Sequence, residues 1–490
     1  MPGWHDMLNL REPKLHLKRY IRHALAAACL LAAGAHAELP GPVASALAQQ
    51  RVSPESVAVV VRRVDADNAA TKALVSHNAD RPLNPASTMK LLTTYAGLEI
   101  LGPAYRWRTE VYTDGRLQNG VLNGNLIIKG HGDPSFMADD LWRMMNSLRQ
   151  AGIKDIRGDL VLDNTWFASL YTDPGAFDGE PYRAYNAMPD ALAVNLKSTS
   201  IKLIADAQQV TVTADPDLPE ITVVNQLKST QKDCGDWKSQ LRYEVRQQAN
   251  AAQLLLTGQF STLCGEKYLD MSLLNSQDYV FDLFRKLWRQ AGGSFTGKLR
   301  LQATPAAATK LLQQDSLPLA DVVRRINKYS NNFMARQLLL TLGAESGAVP
   351  ASETDGDMAI HAWLAGKGMD FPELVLENGA GLSRIERISA QHLNDLLTAA
   401  YASTVMPELM SSLPILSVDG TTGSRLKDSA ARGHAHLKTG SLEGVRSIAG
   451  YMLDQNGHRW AVVFMANGPN APTTRAAQDA LLEWVYSQPR

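Results

Sequence analysis

Apolar positions along the chain recur with two periods, and the alternation between them predicts a mixed α+β protein. Residues 55–63 form a short apolar run, Glu-Ser-Val-Ala-Val-Val-Val-Arg-Arg, the pattern of a buried strand, with extended chain continuing outward to Val75. Pro82 to Pro85 reads as a turn. From Ser87 to about Leu101 the spacing of Met89, Leu91, Leu92, Ala96, Leu98 and Leu101 is helical, with Pro85 ahead of it and Gly102-Pro103 ending it. That helix is apolar on most faces and is expected at the centre of a domain. Asn119-Gly120 and Asn123-Gly124 mark hairpin-like turns. A helix is predicted over 138–152 and a strand over 157–167, followed by short alternating strands from 200 to 300 with one helix near 277–291. Helical spacing returns at 319–343, 354–367 and 389–402. The chain closes with strands at 445–453 and 458–466 around an Asn456-Gly457 turn, then an amphipathic helix at 474–486.

Composition narrows the setting. A length of 490 residues suggests two or three domains. The 49 basic and 49 acidic residues balance, so nothing points to nucleic acid or to a polybasic membrane surface. The first residues differ from the rest. Lys14, Lys18, Arg19 and Arg22 precede an apolar run from about Ala24 to Ala33, and Ala35-His36-Ala37 is a small-x-small cleavage pattern before Glu38. Residues 1–37 therefore read as a signal peptide, and the mature protein as periplasmic. The alternatives are a short buried helix or a lipoprotein signal through Cys29. No other segment has the length of apolar sequence a membrane-spanning helix needs. Beyond residue 37 only Cys234 and Cys264 remain, and in an exported protein they are expected to pair.

Three short motifs carry candidate chemistry. In Ser87-Thr88-Met89-Lys90, positions i and i+3 of a helix place a hydroxyl beside an amine, and a lysine whose ammonium is destabilised activates a serine. Ser330-Asn331-Asn332 presents Ser330 and Asn332 in one direction from an extended or loop segment. Lys438-Thr439-Gly440-Ser441 ends a strand-like stretch in which His434, His436 and Lys438 share a face. Singly these motifs are weak. Ser-x-x-Lys also occurs at Ser229 and Ser424, and Ser-x-Asn at Ser76. Only Ser87 opens a buried helix after a strand, and Lys-Thr-Gly occurs once, after the other two. His434-x-His436 lacks the further ligands of a zinc site, Gly130-x-Gly132 lacks a nucleotide-binding context, and no G-x-S-x-G elbow is present. No metal or cofactor is expected.

The ordered set is that of the penicillin-recognising serine enzymes. Ser330 lies 243 positions after Ser87, room for an insertion at about 105–305 that compact β-lactamases lack. This organisation resembles the class C low-molecular-mass penicillin-binding proteins, the D-alanyl-D-alanine carboxypeptidase/endopeptidases similar to penicillin-binding protein 4. The likeness extends to Gly130-His131-Gly132-Asp133-Pro134, to Asp163-Asn164-Thr165-Trp166-Phe167, and to Asn378-Gly379-Ala380-Gly381-Leu382-Ser383-Arg384. The last is similar to D-G-S-G-L-S-R, with Asn378 and Ala380 departing from that pattern.

The resemblance implies a penicillin-binding/β-lactamase-like transpeptidase domain, an antiparallel sheet flanked by helices, from residues 38–104 and 306–490. Inserted strand-rich domains would occupy 105–305, with 135–205 a candidate nested subdomain. It implies a serine-type D-alanyl-D-alanine carboxypeptidase and endopeptidase acting on peptidoglycan muropeptides and inhibited covalently by β-lactams. Ser87 would attack, Lys90 take its proton and Ser330 relay a proton to the leaving amine. Asn332 would position substrate. Lys438, exposed to the incoming carboxylate and charged, would supply positive potential, while Thr439, Gly440 and Ser441 form the wall that binds that carboxylate. Asp163 and Arg384 would lie near a pocket for the diamino-acid side chain. A non-catalytic muropeptide-binding scaffold would have no need of Ser87 with Lys90, and the long insert argues against a β-lactamase.

Overall fold

The computed structural model describes residues 39–65, 72–169 and 173–489; the signal-peptide reading of residues 1–37 lies outside them. One five-stranded antiparallel sheet organises the chain ends, in the order Val75–His77, Val57–Arg63, Arg459–Asn467, Val445–Leu453, Ala435–Leu442. Its second strand, Val57–Arg63, is Val-rich because both faces are covered, and the two-residue period decides by what. Val57, Val59 and Val61 pack with Val43, Leu47, Leu481 and Val485 of the helices Gly41–Gln49 and Arg475–Tyr486. Ala58 and Val60 face the opposite layer, built from Leu91, Leu92, Val323, Leu338 and Leu397. The helix Lys90–Leu101 is buried in that layer and is entered through a tight 3₁₀ turn, Ala86–Met89.

The predicted helix at 319–343 is two helices, Leu319–Tyr329 and Asn332–Glu345. Ser330 between them is left-handed, at φ 58°, and the Asn331 side chain caps the second helix by accepting from the Met334 N–H at 2.9 Å. The helical period gave no sign of the break because apolar residues continue at helical spacing on its far side, at Phe333, Met334 and Leu338.

The insert holds the remaining large sheets and its own core, which includes Val111, Leu160, Leu254, Phe284 and Trp288. Its five-stranded sheet runs Leu299–Leu301, Leu160–Asp163, Leu126–Gly130, Arg108–Thr113, Thr309–Asp315. Two expectations need correction. Thr309–Asp315 pairs with Arg108–Thr113, so the insert's sheet extends past residue 306, and the two connections to the first domain leave as neighbouring strands. Residues 135–205 are not a unit either. Leu160–Asp163 pairs with Leu126–Gly130, whereas Thr199–Ala205 pairs with Lys267–Met271 in another sheet. The nested block is Thr199–Met271, two three-stranded sheets entered and left by paired strands. Strand 157–167 shrinks to Leu160–Asp163.

Cys234 and Cys264 form a disulfide across a sequence separation of 30 within this block. Closing a loop of that size restricts the unfolded chain by about 3–4 kcal/mol in the chain-entropy model. Replacing both cysteines by serine is expected to lower the unfolding free energy of the insert by about 3 kcal/mol, read by denaturant titration of its tryptophan signal. A midpoint equal to wild type would show that the bridge carries no stability.

Candidate active site

Ser87 sits on the 3₁₀ turn that leads into the Lys90–Leu101 helix, and Ala86 before it adopts φ 46°, a conformation non-glycine residues rarely hold. Asn84 holds this bend by accepting from the Ala86 N–H at 2.8 Å. Lys90 is completely buried one turn on. Its Nζ donates to Ser87 Oγ at 3.0 Å, to Asn332 Oδ1 at 2.7 Å and to the Ala380 carbonyl. Burial pulls its pKa down to about 7, against the opposing field of Glu386. An amine in this state gives up its proton near neutral pH and remains in hydrogen-bond reach of the serine.

Lys438 comes from the edge strand Ala435–Leu442 and donates to Ser330 Oγ and to the Thr439 carbonyl, each at 2.8 Å. The expectation of an exposed Lys438 is overturned. It is as buried as Lys90, and desolvation first, then the charge of Lys90, hold its pKa well below that of a free lysine. The two-residue period did place it on a common face with His434 and His436, but that face turns inward at 438. His434 and His436 themselves contact the carbonyls of Arg432 and Met410.

The three motifs therefore meet, each lysine holding one serine hydroxyl. Gly440 allows the meeting: a Cβ there would lie 2.7 Å from the Pro85 carbonyl and collide with Ser447 Oγ, so only glycine brings the strand against the turn that carries Ser87. Gly381, at φ 75°, packs against the Ala86 carbonyl in the same way. The cleft in front measures about 330 Å³, with Ser87, Ser330, Thr439 and Ser441 at its wall beside Arg425, Arg446 and Arg475. Arg446 donates to Ser441 Oγ at 3.1 Å, and Thr439 Oγ1 lies 2.8 Å from Thr421 Oγ1. This electropositive wall suits a carboxylate. The insert closes the other side, where Asn332 Nδ2 donates to the Tyr185 carbonyl at 3.2 Å.

Asp163 and Arg384 part company. Asp163 is buried in the insert's sheet, where it accepts from Thr165 and Thr304, main chain and hydroxyl in each case, at 2.6 to 3.1 Å. Those donors hold its carboxyl below the usual range against the burial that would raise it. Both of its oxygens are engaged by these donors, so the structure gives Asp163 a turn-forming role within the insert. Arg384 is half-exposed, its guanidinium 4.5 Å from the Phe177 ring centroid and 3.4 Å from the Glu443 carboxylate, at a hollow of about 260 Å³ shared with Asn186, Arg336 and Glu353. Sequence reasoning missed Glu386, Arg446 and Tyr185. The available signal for Glu386 was the missing acid of the motif at Asn378, with a new acid a few positions on.

A serine and two buried lysines at the edge of an antiparallel sheet, under a helical layer, define a serine hydrolase of the penicillin-binding/β-lactamase-like class. Comparison with known proteins gives the family. Residues 39–488 match the D-Ala-D-Ala carboxypeptidase 3 (S13) family, and the chain belongs to it. It is a serine-type D-alanyl-D-alanine carboxypeptidase. It is 28% identical to the D-alanyl-D-alanine carboxypeptidase DacB of Haemophilus influenzae, over 81% of this chain and 82% of that one. It is 29% identical to the D-alanyl-D-alanine carboxypeptidase of Actinomadura sp. (strain R39), over 85% and 79%. The crystal structure of penicillin binding protein 4 from Haemophilus influenzae superposes with a TM-score of 0.75 at 26% identity, covering 92% of this chain and all of that one. The same protein in complex with a β-lactam gives a TM-score of 0.71 at 26% identity, covering 90% and 99%.

Arg384→Ala is expected to raise KM for a diamino-acid-containing muropeptide about tenfold, the loss of one charged hydrogen bond, while leaving acylation by a simple penicillin within about twofold. Equal losses for both would assign Arg384 to the general site or the fold.

Proposed function

We propose that the chain is an exported peptidase that trims the terminal D-alanine from peptidoglycan stem peptides through an acyl-enzyme on Ser87. The observation that carries this reading is the buried Lys90 amine, 3.0 Å from Ser87 Oγ. Lys90 takes the serine proton as Oγ attacks the carbonyl of the penultimate D-alanine. The backbone N–H groups of Ser87 and Ser441 receive the developing oxyanion. Ser330 hands its proton to the departing amine and is resupplied from Lys438, to which it is hydrogen-bonded. Thr439 and Ser441, with Arg446 behind Ser441, hold the carboxylate of the leaving residue. Water then releases the acyl group: its proton passes through Ser330 to Lys438, and Lys90 returns a proton to Ser87 Oγ, which restores the starting state.

The same site serves cross-link cleavage, because a cross-link joined to D-alanine also presents a D-alanyl carbonyl and an amine beside a carboxylate. A β-lactam, with its carboxylate beside a strained amide, is expected to acylate Ser87 and stay. The N-terminal pattern supports export to the periplasm, and no helix among the described residues is long and apolar enough to cross a membrane. The separate hydrophobic cores support a division into a peptidase domain and an insert at about residues 107 and 316.

Release of D-alanine from a pentapeptide muropeptide, followed against pH, tests the reading. Lys90 must be neutral to accept a proton, so kcat/KM should fall as pH drops through about 7. Lys90→Arg keeps the charge and loses the base, and should reduce kcat/KM by roughly 10³-fold or more. Near wild-type turnover in Lys90→Arg would remove Lys90 from the role and favour Lys438 acting through Ser330.

A further inference from the structure

Glu386 is a carboxylate where a lone carboxylate is strongly disfavoured. Its side chain is completely buried. Oε1 accepts the N–H groups of Glu377, Asn378 and Gly379 at 3.2, 3.0 and 3.1 Å, and Oε2 is buried with no hydrogen-bond partner. Such a group stays ionised only beside a cation. Burial raises the Glu386 carboxyl to about 7 against its three amide donors and the field of Lys90, and the field of Glu386 in turn resists the desolvation of Lys90. The loop links them physically. Its amides at 377–379 grip Glu386, and its next carbonyl, Ala380, accepts from Lys90 Nζ.

The loop's own sequence sharpens the point. Where the motif D-G-S-G-L-S-R begins with an acid, this chain has Asn378, whose side chain accepts from the Ala380 N–H at 2.9 Å and donates to the Leu382 carbonyl at 2.8 Å. An amide ties the turn but brings no charge. Glu386 brings the charge from the other end of the loop.

The other charged groups nearby leave this pair alone. Lys438 faces Lys90 from the edge strand, and the remaining partners of Lys90, Ser87 Oγ, Asn332 Oδ1 and the Ala380 carbonyl, are neutral. Arg387 donates to the main-chain carbonyl of Glu386, and Arg384 turns to Glu443 and Phe177, so neither meets the carboxylate. The buried site thus holds two amines and one carboxylate. In a low-dielectric site net charge is disfavoured, and the neutral arrangement has one proton among the three groups; with Glu386 ionised that proton lies on one lysine and leaves the other amine free. With no carboxylate, neutrality requires both amines to be free.

We propose that Glu386 is a positioning residue for acyl transfer: it is the counter-ion that lets Lys90 and Lys438 hold one proton between them, and it thereby sets the pH below which Lys90 stops acting as a base. This rests on Lys90 being the base for Ser87, and the test separates the two ideas.

The measurement is the second-order rate of acylation by a fluorescent penicillin from acid to alkaline pH, with thermal unfolding in parallel. Glu386→Gln keeps an oxygen for the three amides and removes the charge. Its acid limb should move to lower pH by about one unit or more, because a lysine without its anion holds a proton less tightly. Glu386→Asp keeps the charge, and its limb should stay near that of wild type. A Glu386→Gln limb at the wild-type position overturns the proposal, as does an equal displacement in both variants, which marks a structural role. Near wild-type acylation of Lys90→Arg overturns the base assignment instead. Should Glu386→Gln fail to fold, the ¹³C carboxyl resonance of Glu386 is titrated in wild type and in Lys90→Gln. Loss of the cation should raise the pKa of Glu386, and an unmoved titration overturns the proposal.

Discussion

Two lysine amines held out of water are the constraint around which this protein is organised. Exposed amines would stay protonated at neutral pH and activate nothing. Desolvation lowers both, and each is kept by a serine hydroxyl rather than by solvent. Burying an ammonium without compensation is strongly unfavourable, so the structure surrounds Lys90 with three oxygen acceptors and the field of one carboxylate. The chemistry depends on that balance staying close to the edge, with protonation changing near neutral pH.

Holding the balance requires segments far apart in sequence to meet within a hydrogen bond. The buried helix brings Ser87 and Lys90, the break between two helices brings Ser330 and Asn332, and the sheet edge brings Lys438. The central strands fix these parts by covering each sheet face with a different layer, so the edge strand cannot shift register without exposing one of the two cores. Gly440 and Gly381 then remove the Cβ atoms that would keep the strand and the loop from the Ala86 turn. The insert reaches the site through Tyr185, whose carbonyl accepts from Asn332, so the site draws on both parts of the chain.

Much of this was legible in the sequence where a local rule governs it. The Val57–Arg63 strand, the paired strands around Asn456-Gly457 and the buried helix after Ser87 follow from periodicity, and the order of the three motifs predicted that they would converge. What could not be read depends on contacts between distant segments. Ser330 lies between two apolar helical runs, so its left-handed turn left no mark on the pattern. The burial of Lys438 depends on what covers the edge strand. Asp163 carries the right residue type in a family-like motif, yet Thr304, 141 positions later, takes its second oxygen. Glu386 is one of several acids in its segment, and only the folded loop shows that it is the one whose field reaches Lys90.

The central claim is that Ser87, activated within this buried lysine pair, is the nucleophile. Peptide mapping by mass spectrometry after brief exposure to benzylpenicillin tests it most directly. The account predicts one penicilloyl adduct per chain, on the peptide that contains Ser87, and none on the peptide that contains Ser330. An adduct on Ser330, or a fully active protein that never carries one on Ser87, would contradict it.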